Sequence, residues 1–462
     1  MKNSIVRIQR IELENFKNVL NGIIEFKSNP KNEENYNPNA EIIGIYGQNG
    51  SGKTALVNAC DFIKKIMEGC SLPKDTANYI NVFSKTASIS IDFYIQTNKN
   101  KYLVNYTIEL EKIRENNVKI SKEVISYSIK KEKWTNKVPS LCYDSNNIED
   151  FLTPKSKFNE IILQDKENLV NIKVAQKLAV EKNKSFIFNE DVKEILKKSL
   201  KDKEIITIID TLTYFSRCNF FVIKNEHSGI ISLDYLMPFS FRLEESERIA
   251  SGDIAIGLNG PSYVDESEYS IITKVVTQMN IVLNKIVPDL KVELHNYGKE
   301  INEKGKETLK VELLSVKEDI NLPIKYESEG IKKIISILST LIAMYNNKSI
   351  CVVVDELDSG IYEFLLGEIL SVIEKGGKGQ LIFTSHNLRP LEILNKDAIY
   401  FTTTNLKNRY IRFSNVKNNN NLRSLYIRSI NLGGQKEELY NETDNDEIRR
   451  AFRLAGERSN GL

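Results

Sequence analysis

The sequence has 462 residues, of which 41% are hydrophobic and 27% charged, and its formal net charge at pH 7 is only +2. This composition excludes a disordered or a strongly basic protein, and the length suits two lobes or one large domain that carries an insertion. The net charge gives no support for a nucleic-acid partner, although a local basic face would be hidden in the average.

The cysteines, the N-terminal residues and the apolar stretches indicate where in the cell the protein is located. The five cysteines are scattered and form no CxxC pair, so neither a disulfide framework nor a zinc site is predicted. No secretory signal pattern follows Met1. The longest apolar stretch, near residues 334–344, is about half the roughly 20 residues that a membrane span needs. We therefore expect a cytoplasmic protein without a membrane domain.

The first predicted elements are mostly strands. Residues 4–27 alternate between apolar and polar side chains around a turn, which predicts a β-hairpin, and the apolar run 42–46 predicts a buried strand. An amphipathic helix is predicted over 55–67, and two further strands within 87–110. We assign residues 1–110 to a front lobe.

The middle of the chain is a mixture rich in Lys, Glu and Asn. Helices are predicted near residues 168–182 and 191–213, but no heptad pattern is sustained over several repeats. We therefore assign residues 111–265 to an insertion of mixed helices and strands that lacks a long coiled coil.

The last part returns to a regular pattern. A helix is predicted over 330–345, an apolar strand over 350–354, a helix near 361–374 and a strand over 380–384. Strand, helix and strand in this order predict a parallel sheet. We assign residues 266–405 to a back lobe and residues 406–462 to a C-terminal tail.

A phosphate-binding loop lies between the first buried strand and the helix that follows it. Glycines allow backbone N–H groups to turn toward phosphate oxygens, and the helix N-terminus adds a favourable dipole. Lys53 supplies a cation, and Thr54 offers a hydroxyl to Mg²⁺. The motif GxxxxGK[ST] is formed by Gly47, Gln48, Asn49, Gly50, Ser51, Gly52, Lys53 and Thr54.

Two acids and a histidine follow the two later strands. Asp355 and Glu356 end an apolar strand, where the first acid can hold Mg²⁺ and the second can deprotonate the attacking water. His386 follows the next strand, where it can reach the γ-phosphate or the attacking water. A solvated strand end and a surface-turn histidine are the alternatives for these residues taken singly.

A Ser-x-Gly sequence, Ser328 to Gly330, stands at a predicted helix start before the paired acids. The sequence resembles ABC-type ATPases in the order of its motifs, which are the phosphate loop, Ser-x-Gly, the paired acids and the strand-end histidine. The resemblance is greatest to the SMC and RecF-like branch and to AAA-labelled ATPases of bacterial anti-phage systems. The latter include the AriA-type ATPase subunits of PARIS systems and the ATPase part of OLD-family nucleases.

The resemblance implies an α/β fold, a P-loop NTPase of ABC type with a parallel core sheet and an antiparallel N-terminal sheet. It implies ATP and Mg²⁺ as ligands, and a homodimer or higher homo-oligomer with head-to-tail sites. In that arrangement Ser328 and the N–H groups near Gly330 meet a γ-phosphate held by Lys53 of a second copy. Lys17 corresponds to a basic residue near the nucleotide, and Gln96 to a metal-binding glutamine, although an exposed strand-end glutamine explains Gln96 equally well.

Several functions remain open at this point. The first is an ATP-hydrolysing sensor or scaffold that acts in anti-phage defence with a separate effector protein, since residues 406–462 are too short for a fused nuclease domain. The others are a RecF- or SMC-like DNA repair ATPase, and an interaction protein that binds ATP with little turnover.

Overall fold

The computed structural model describes residues 4–28, 30–31, 39–114, 117–164, 166–245, 248–301, 305–318, 320–413, 421–441 and 443–459. Its strands are β1 (Ile5–Phe16), β2 (Val19–Glu25), β3 (Glu41–Tyr46), β4 (Thr86–Gln96), β5 (Lys101–Arg114), β6 (Asn117–Ile129), β7 (Val138–Asp144), β8 (Leu152–Thr153), β9 (Phe220–Ile223), β10 (Leu236–Glu245), β11 (Arg248–Gly257), β12 (Ser262–Val264), β13 (Leu290–Ile301), β14 (Glu307–Lys317), β15 (Ile320–Pro323), β16 (Cys351–Val354), β17 (Gln380–Thr384), β18 (Ile399–Thr402) and β19 (Tyr410–Ile411).

The helices differ widely in length, and the longest of those described, α7, has 21 residues. They are α1 (Lys53–Met67), α2 (Lys155–Gln164), α3 (Lys166–Glu181), α4 (Glu190–Ser199), α5 (Lys203–Cys218), α6 (Asn225–Ser232), α7 (Glu266–Ile286), α8 (Glu329–Asn346), α9 (Glu363–Gly376), α10 (Pro390–Ile393), α11 (Leu422–Leu432) and α12 (Asn445–Ser459). None of the helices described is long and apolar enough to cross a bilayer.

Two large sheets form the centre of the molecule. The first is antiparallel, with the strand order β2-β1-β4-β5-β6-β7-β8, and the second has the order β19-β18-β3-β17-β16-β9. In the second sheet the five strands from β18 to β9 are parallel, and only β19 is antiparallel to its neighbour. The predicted α/β class, a parallel core sheet with an antiparallel N-terminal sheet, is confirmed.

The parallel sheet is buried on both faces, as its continuous apolar strands predict. On one face, Ile43, Ile45 and Val353 pack with α1 and the antiparallel sheet. On the other face, Val352 and Val354 pack with α8 and α9. A β10–β11 hairpin and a smaller sheet of β12, β14, β13 and β15 flank the same face. This layering leaves the carboxyl ends of the parallel strands at one edge.

The strand pairing shows where the predicted lobe boundaries fall in the structure. The division after residue 110 falls inside β5, which continues the antiparallel sheet and pairs with β6. Within the predicted insertion, β9 pairs with β16 in the parallel sheet. The division at residue 265 falls at the start of α7, where the Asp265 side chain caps the helix. Among the described residues no helix is long enough to form an extended coiled-coil arm, as predicted.

The two sheets are joined by a buried arginine, Arg7, on β1. The side chain of Arg7 is fully buried, and its Nε donates to Oε2 of Glu41 on β3 at 2.9 Å. Its guanidinium also donates to the backbone oxygens of Lys348 and Lys378, at 3.0 and 2.8 Å. The Gln380 side chain on β17 completes the contact, because it accepts from Ile8 N–H and donates to Ile8 O, both at 2.8 Å. The start of β1, which does not pair with β2, is therefore hydrogen-bonded to residues of the parallel sheet.

We expect Arg7→Ala to lower the apparent free energy of unfolding by about 3–5 kcal/mol, because Glu41 would stay largely buried without its cation. Chemical denaturation followed by circular dichroism measures this change. Arg10→Ala is the matched control, since Arg10 is 29% exposed in its ion pairs with Glu12 and Glu25 and should cost at most about 1 kcal/mol. Equal losses in the two variants would contradict the assigned role of Arg7.

Candidate functional site

The phosphate loop connects β3 to α1, where the sequence predicts it. Gly50 and Gly52 have φ of 74° and 98°, a left-handed conformation that favours glycine. The ammonium of Lys53 donates to the backbone oxygens of Gly47 and Gln48 at 2.8 and 3.0 Å. Burial lowers the pKa of Lys53, and the charge of Asp355 opposes this shift. The phosphate loop therefore folds around the ammonium group of Lys53.

The shape of the loop depends on the end of the parallel sheet. A Cβ atom on Gly47 would lie 1.7 Å from Oγ1 of Thr402 on β18, so only glycine fits there. The Thr402 hydroxyl lies 2.6 Å from Ser51 Oγ, and the Tyr410 hydroxyl donates to Gly52 O at 2.7 Å. Thr402 and Tyr410 are positioning residues that the sequence motif does not include.

The paired acids follow β16, and one hydroxyl contacts the carboxylate of the first and the backbone of the second. Thr384 Oγ1, at the end of β17, donates to Asp355 Oδ1 at 2.6 Å and accepts the N–H of Glu356 at 2.8 Å. Asp355 is 1% exposed, and its Oδ1 lies 3.5 Å from Thr54 Oγ1. Glu356 has a φ of 47°, a strained backbone conformation for this residue type. The strand ends thus bring the phosphate loop and both acids together.

Mg²⁺ prefers oxygen ligands, and the oxygens of Thr54 and Asp355 meet beside the loop. These two residues fit the ion by donor type and by proximity. Gln96 does not lie with them. It pairs with Ile5 at the start of β1 and accepts a hydrogen bond from the Tyr94 hydroxyl at 2.9 Å, whereas the phosphate loop contacts the turn at the opposite end of β1.

That turn contains Lys17 and Asn18. The Asn18 amide donates to Gly50 O of the phosphate loop, and the Lys17 ammonium lies 4.6 Å from the centre of the Tyr79 ring. Burial lowers the pKa of Lys17, and the charge of Asp355 opposes the shift. The antiparallel sheet therefore brings Lys17 to the phosphate loop and the acids.

His386 follows β17 at the same edge of the parallel sheet. Its backbone N–H donates to Asp358 Oδ2 at 3.1 Å, and so does that of Asn387 at 2.9 Å. The imidazole itself is exposed. Asp358, two residues after Glu356, thus ties the histidine turn to the turn that follows the acids.

Ser328 and Gly330 begin α8, as predicted. The Ser328 hydroxyl accepts the N–H of Ile331 at 3.4 Å, and the residue is exposed. Gly330 is buried, and a Cβ atom there would lie 2.0 Å from the carbonyl oxygen of Gly360. The glycine therefore permits close packing of α8 on the turn after the acids, while the serine faces solvent.

Comparison with known protein families gives a match over residues 42–392 to the family described as "AAA domain, putative AbiEii toxin, Type IV TA system". The chain belongs to this AAA-domain family. The matched region includes the phosphate loop, α8, the paired acids and His386. No curated protein matches the chain.

Solved structures give distant similarities. The SMC head domain of Pyrococcus furiosus, bound to the C-terminal domain of ScpA, is 13% identical, with a TM-score of 0.40 and coverage of 89% of this chain and 97% of that one. The SMC head domain of Thermotoga maritima is 12% identical, with a TM-score of 0.39 and coverage of 88% and 99%. The recombination mediator protein RecF with ATP is 14% identical, with a TM-score of 0.35 and coverage of 83% and 94%.

The AAA domain also has a buried lysine, Lys333, to which the sequence motifs assign no role. Lys333 on α8 is 2% exposed, and its ammonium donates to Ser228 Oγ at 2.6 Å. Burial lowers its pKa to about 8, opposed by the charges of Asp355 and Glu356. In the sequence, Lys333 is marked only by its place three residues after the glycine of Ser-x-Gly.

Lys224 is a second such residue. It follows β9, whose last residue, Ile223, is in register with Val354 at the end of β16. Because these strands are parallel, Lys224 lies at the same edge as Asp355. Its ammonium pairs with Glu226 at 2.8 Å and with Asp61 of α1 at 3.7 Å. Only the sheet order identifies this position.

We expect Gly330→Ala to destabilise the fold by about 1–3 kcal/mol, because the added methyl group would overlap backbone atoms that cannot move independently. Thermal unfolding measures the change. Gly229→Ala is the control. A Cβ atom on Gly229, in α6, meets no atom within 4 Å, so this variant should be neutral or up to about 1 kcal/mol more stable. A harmless Gly330→Ala would show that this close approach is absent.

We expect Lys333→Met to be more stable than the wild type at pH 7 by about 1–2 kcal/mol, because it removes a buried charge. The folded pKa, about 8, lies below the ordinary value of 10.5. The unfolded chain therefore binds more protons between these values, and this lysine's destabilising effect fades as the pH rises from 8 to 10.5. Denaturation midpoints of both proteins over that range should converge. A constant difference would contradict the assignment.

Proposed function

We propose that this AAA domain binds ATP with Mg²⁺ and hydrolyses it to ADP and phosphate. The observation that carries the proposal is the Thr384 hydroxyl, which fixes Asp355 and the backbone of Glu356 beside Thr54 of the phosphate loop. A phosphate loop alone is sufficient for binding phosphates. An acid fixed directly after the metal-binding carboxylate adds the group that a hydrolase needs.

Each residue has a separate task in this proposal. Lys53 exchanges its contacts with Gly47 and Gln48 for phosphate oxygens, and the loop N–H groups donate to the same phosphates. Thr54 and Asp355 would hold Mg²⁺, which supplies positive charge to the phosphates when bound. Glu356 orients the attacking water and takes its proton. His386, exposed at the edge of the same site, donates to the γ-phosphate.

The site is proposed to be completed by a second copy of the chain. Ser328 is exposed and begins a helix whose N-terminal dipole favours an anion. In a head-to-tail pair, Ser328 of one copy faces the γ-phosphate bound by Lys53 of the other. ATP then bridges two surfaces, and hydrolysis removes the bridge. The association therefore lasts only until turnover.

We further propose that this timed association serves a sensor or scaffold in anti-phage defence, which acts through a separate effector protein. Two observations support this role. The ordered motifs resemble the ATPase subunits of such systems, including the AriA type of PARIS, and the family description refers to a toxin of a type IV toxin–antitoxin system. A DNA repair function predicts DNA binding that depends on ATP and weakens steeply with salt.

Glu356→Gln is expected to bind ATP normally, to reduce turnover at least about 100-fold and to accumulate as an ATP-bound dimer, because only the proton acceptor is lost. Phosphate release and light scattering measure these effects. Lys53→Ala should lose nucleotide binding in a fluorescent-ATP titration. Unchanged turnover in Glu356→Gln would refute the hydrolytic assignment, and a wild type that binds ATP without turnover would identify a nucleotide-binding interaction protein.

The proposed role in anti-phage defence is tested by expressing the chain with its neighbouring genes in bacteria challenged with phage. Protection that is lost in Lys53→Ala and requires a separate neighbouring gene supports defence. DNA binding that requires ATP, without phage protection, supports repair instead. Variants that still bind ATP show whether a negative result contradicts the proposed cellular role or the assignment of the nucleotide site.

A further inference from the structure

The C-terminal tail returns to the nucleotide site through a short segment, residues 437–441. The backbone N–H of Asn441 donates to Gln48 Oε1 in the phosphate loop at 3.1 Å. Leu439, two residues earlier, is 3% exposed and belongs to the apolar cluster that contains α8 and α9. This tail segment lies outside residues 42–392, the part of the chain that matches the AAA-domain family. The motifs of the matched region therefore do not include it.

The tail segment is bonded to the connecting loop, residues 403–409, which joins β18 to β19. The Glu437 carboxylate accepts from the side-chain amides of Asn405 and Asn408 at 3.0 and 2.9 Å, with one amide on each carboxylate oxygen. The backbone oxygen of Glu438 accepts a backbone N–H of the same loop at 2.8 Å. These bonds fix the tail segment before it reaches the phosphate loop.

The connecting loop in turn holds the turn that contains Lys17 and Asn18. Arg409 is 3% exposed, and its guanidinium donates to the backbone oxygen of Asn18 at 2.7 Å. The backbone oxygen of Leu406 accepts two N–H groups at the start of β2, at 2.9 and 3.0 Å. The strand residues at either end of the connecting loop bond to the phosphate loop. The tail segment, the connecting loop, this turn and the phosphate loop are therefore one hydrogen-bonded unit.

Gln48 is the residue through which the tail segment acts on the phosphate loop. The backbone oxygen of Gln48 accepts from the Lys53 ammonium at 3.0 Å and from the Ser51 hydroxyl at 2.6 Å, while its side-chain oxygen accepts from Asn441. The bond to the tail uses none of the loop N–H groups, which are the donors that a phosphate needs. Ordering a loop before its ligand binds raises affinity, because less conformational entropy is lost on binding.

We infer that the tail segment, residues 437–441, is a positioning element of the nucleotide site, which orders the phosphate loop and so raises its affinity for ADP and ATP. This inference rests on the proposed function, because it takes the phosphate loop as the site of nucleotide binding. The segment holds Gln48 directly, and it supports the turn of Lys17 through the connecting loop. Releasing the segment weakens nucleotide binding. The rate of the chemical step stays unchanged, because the contacts of Asp355 and Glu356 with Thr384 are not altered.

Removal of the Asn441 N–H tests the contact with the phosphate loop in the full-length chain. Asn441→Pro lacks this N–H, whereas Asn441→Ala keeps it. We expect Asn441→Pro to bind a fluorescent ADP analogue with Mg²⁺ about three- to tenfold more weakly than Asn441→Ala, the effect of one hydrogen bond. ADP is the probe because its binding requires neither turnover nor a second copy. In a Gln48→Ala background, where the acceptor is missing, the two substitutions at Asn441 should bind ADP equally.

A second pair of variants tests the bonds to the connecting loop. Glu437→Ala removes the acceptor of both amides, and we expect it to raise the KM for ATP about three- to tenfold while kcat stays within about twofold of the wild type. Glu447→Ala is the matched control. It removes an exposed acid of the same tail, in α12, and should leave both constants unchanged.

The outcomes separate the inference from the proposed function. Wild-type nucleotide affinity in both Asn441→Pro and Glu437→Ala overturns the inference alone. An equal loss from Asn441→Pro with and without Gln48→Ala also overturns it, because the loss then comes from proline strain. A fall in kcat and in the melting temperature of the nucleotide-free protein, in place of the change in KM, would show a purely structural role and overturn it as well. A wild type that binds neither ADP nor ATP overturns both, whereas ADP binding without ATP turnover contradicts the proposed function alone.

Discussion

The contact of Arg7 with Glu41 and the neighbouring backbone oxygens is the interaction on which the rest of the structure depends. It fixes β1 of the antiparallel sheet against β3 of the parallel sheet. The nucleotide site needs this registration, because the phosphate loop follows β3 while Lys17 and Asn18 follow β1. A guanidinium buried without its carboxylate would be costly, so the two sheets are specified as one unit.

The parallel sheet supplies the second constraint. Its strands end together, so the residues that follow β3, β16 and β17 meet although they are distant in the chain. Thr384 then links the Asp355 carboxylate and the backbone N–H of Glu356 through one hydroxyl. Gly47 and Gly330 show how closely the surrounding backbone approaches this edge, since a methyl group at either position would overlap a neighbour. Chemistry and packing are therefore specified by the same few residues.

In the proposed assembly, the molecule presents the phosphate loop and the start of α8 to a second copy. The tail approaches the same loop, because the backbone N–H of Asn441 donates to Gln48 Oε1. Nucleotide binding would then be linked to association through the γ-phosphate, which both copies contact.

The sequence by itself determined the phosphate loop, the paired acids, His386 and the start of α8, because short motifs with strand and helix flanks encode backbone geometry locally. It also determined the α/β class, through the apolar runs at β3, β16 and β17. Only the tertiary structure decided that β5 crosses the expected boundary at residue 110, that Gln96 lies at the far end of β1, and that Lys224, Lys333, Thr384 and Arg7 meet their partners. Those contacts depend on strand order and sheet packing, which join residues from 28 to 371 positions apart and leave no local pattern.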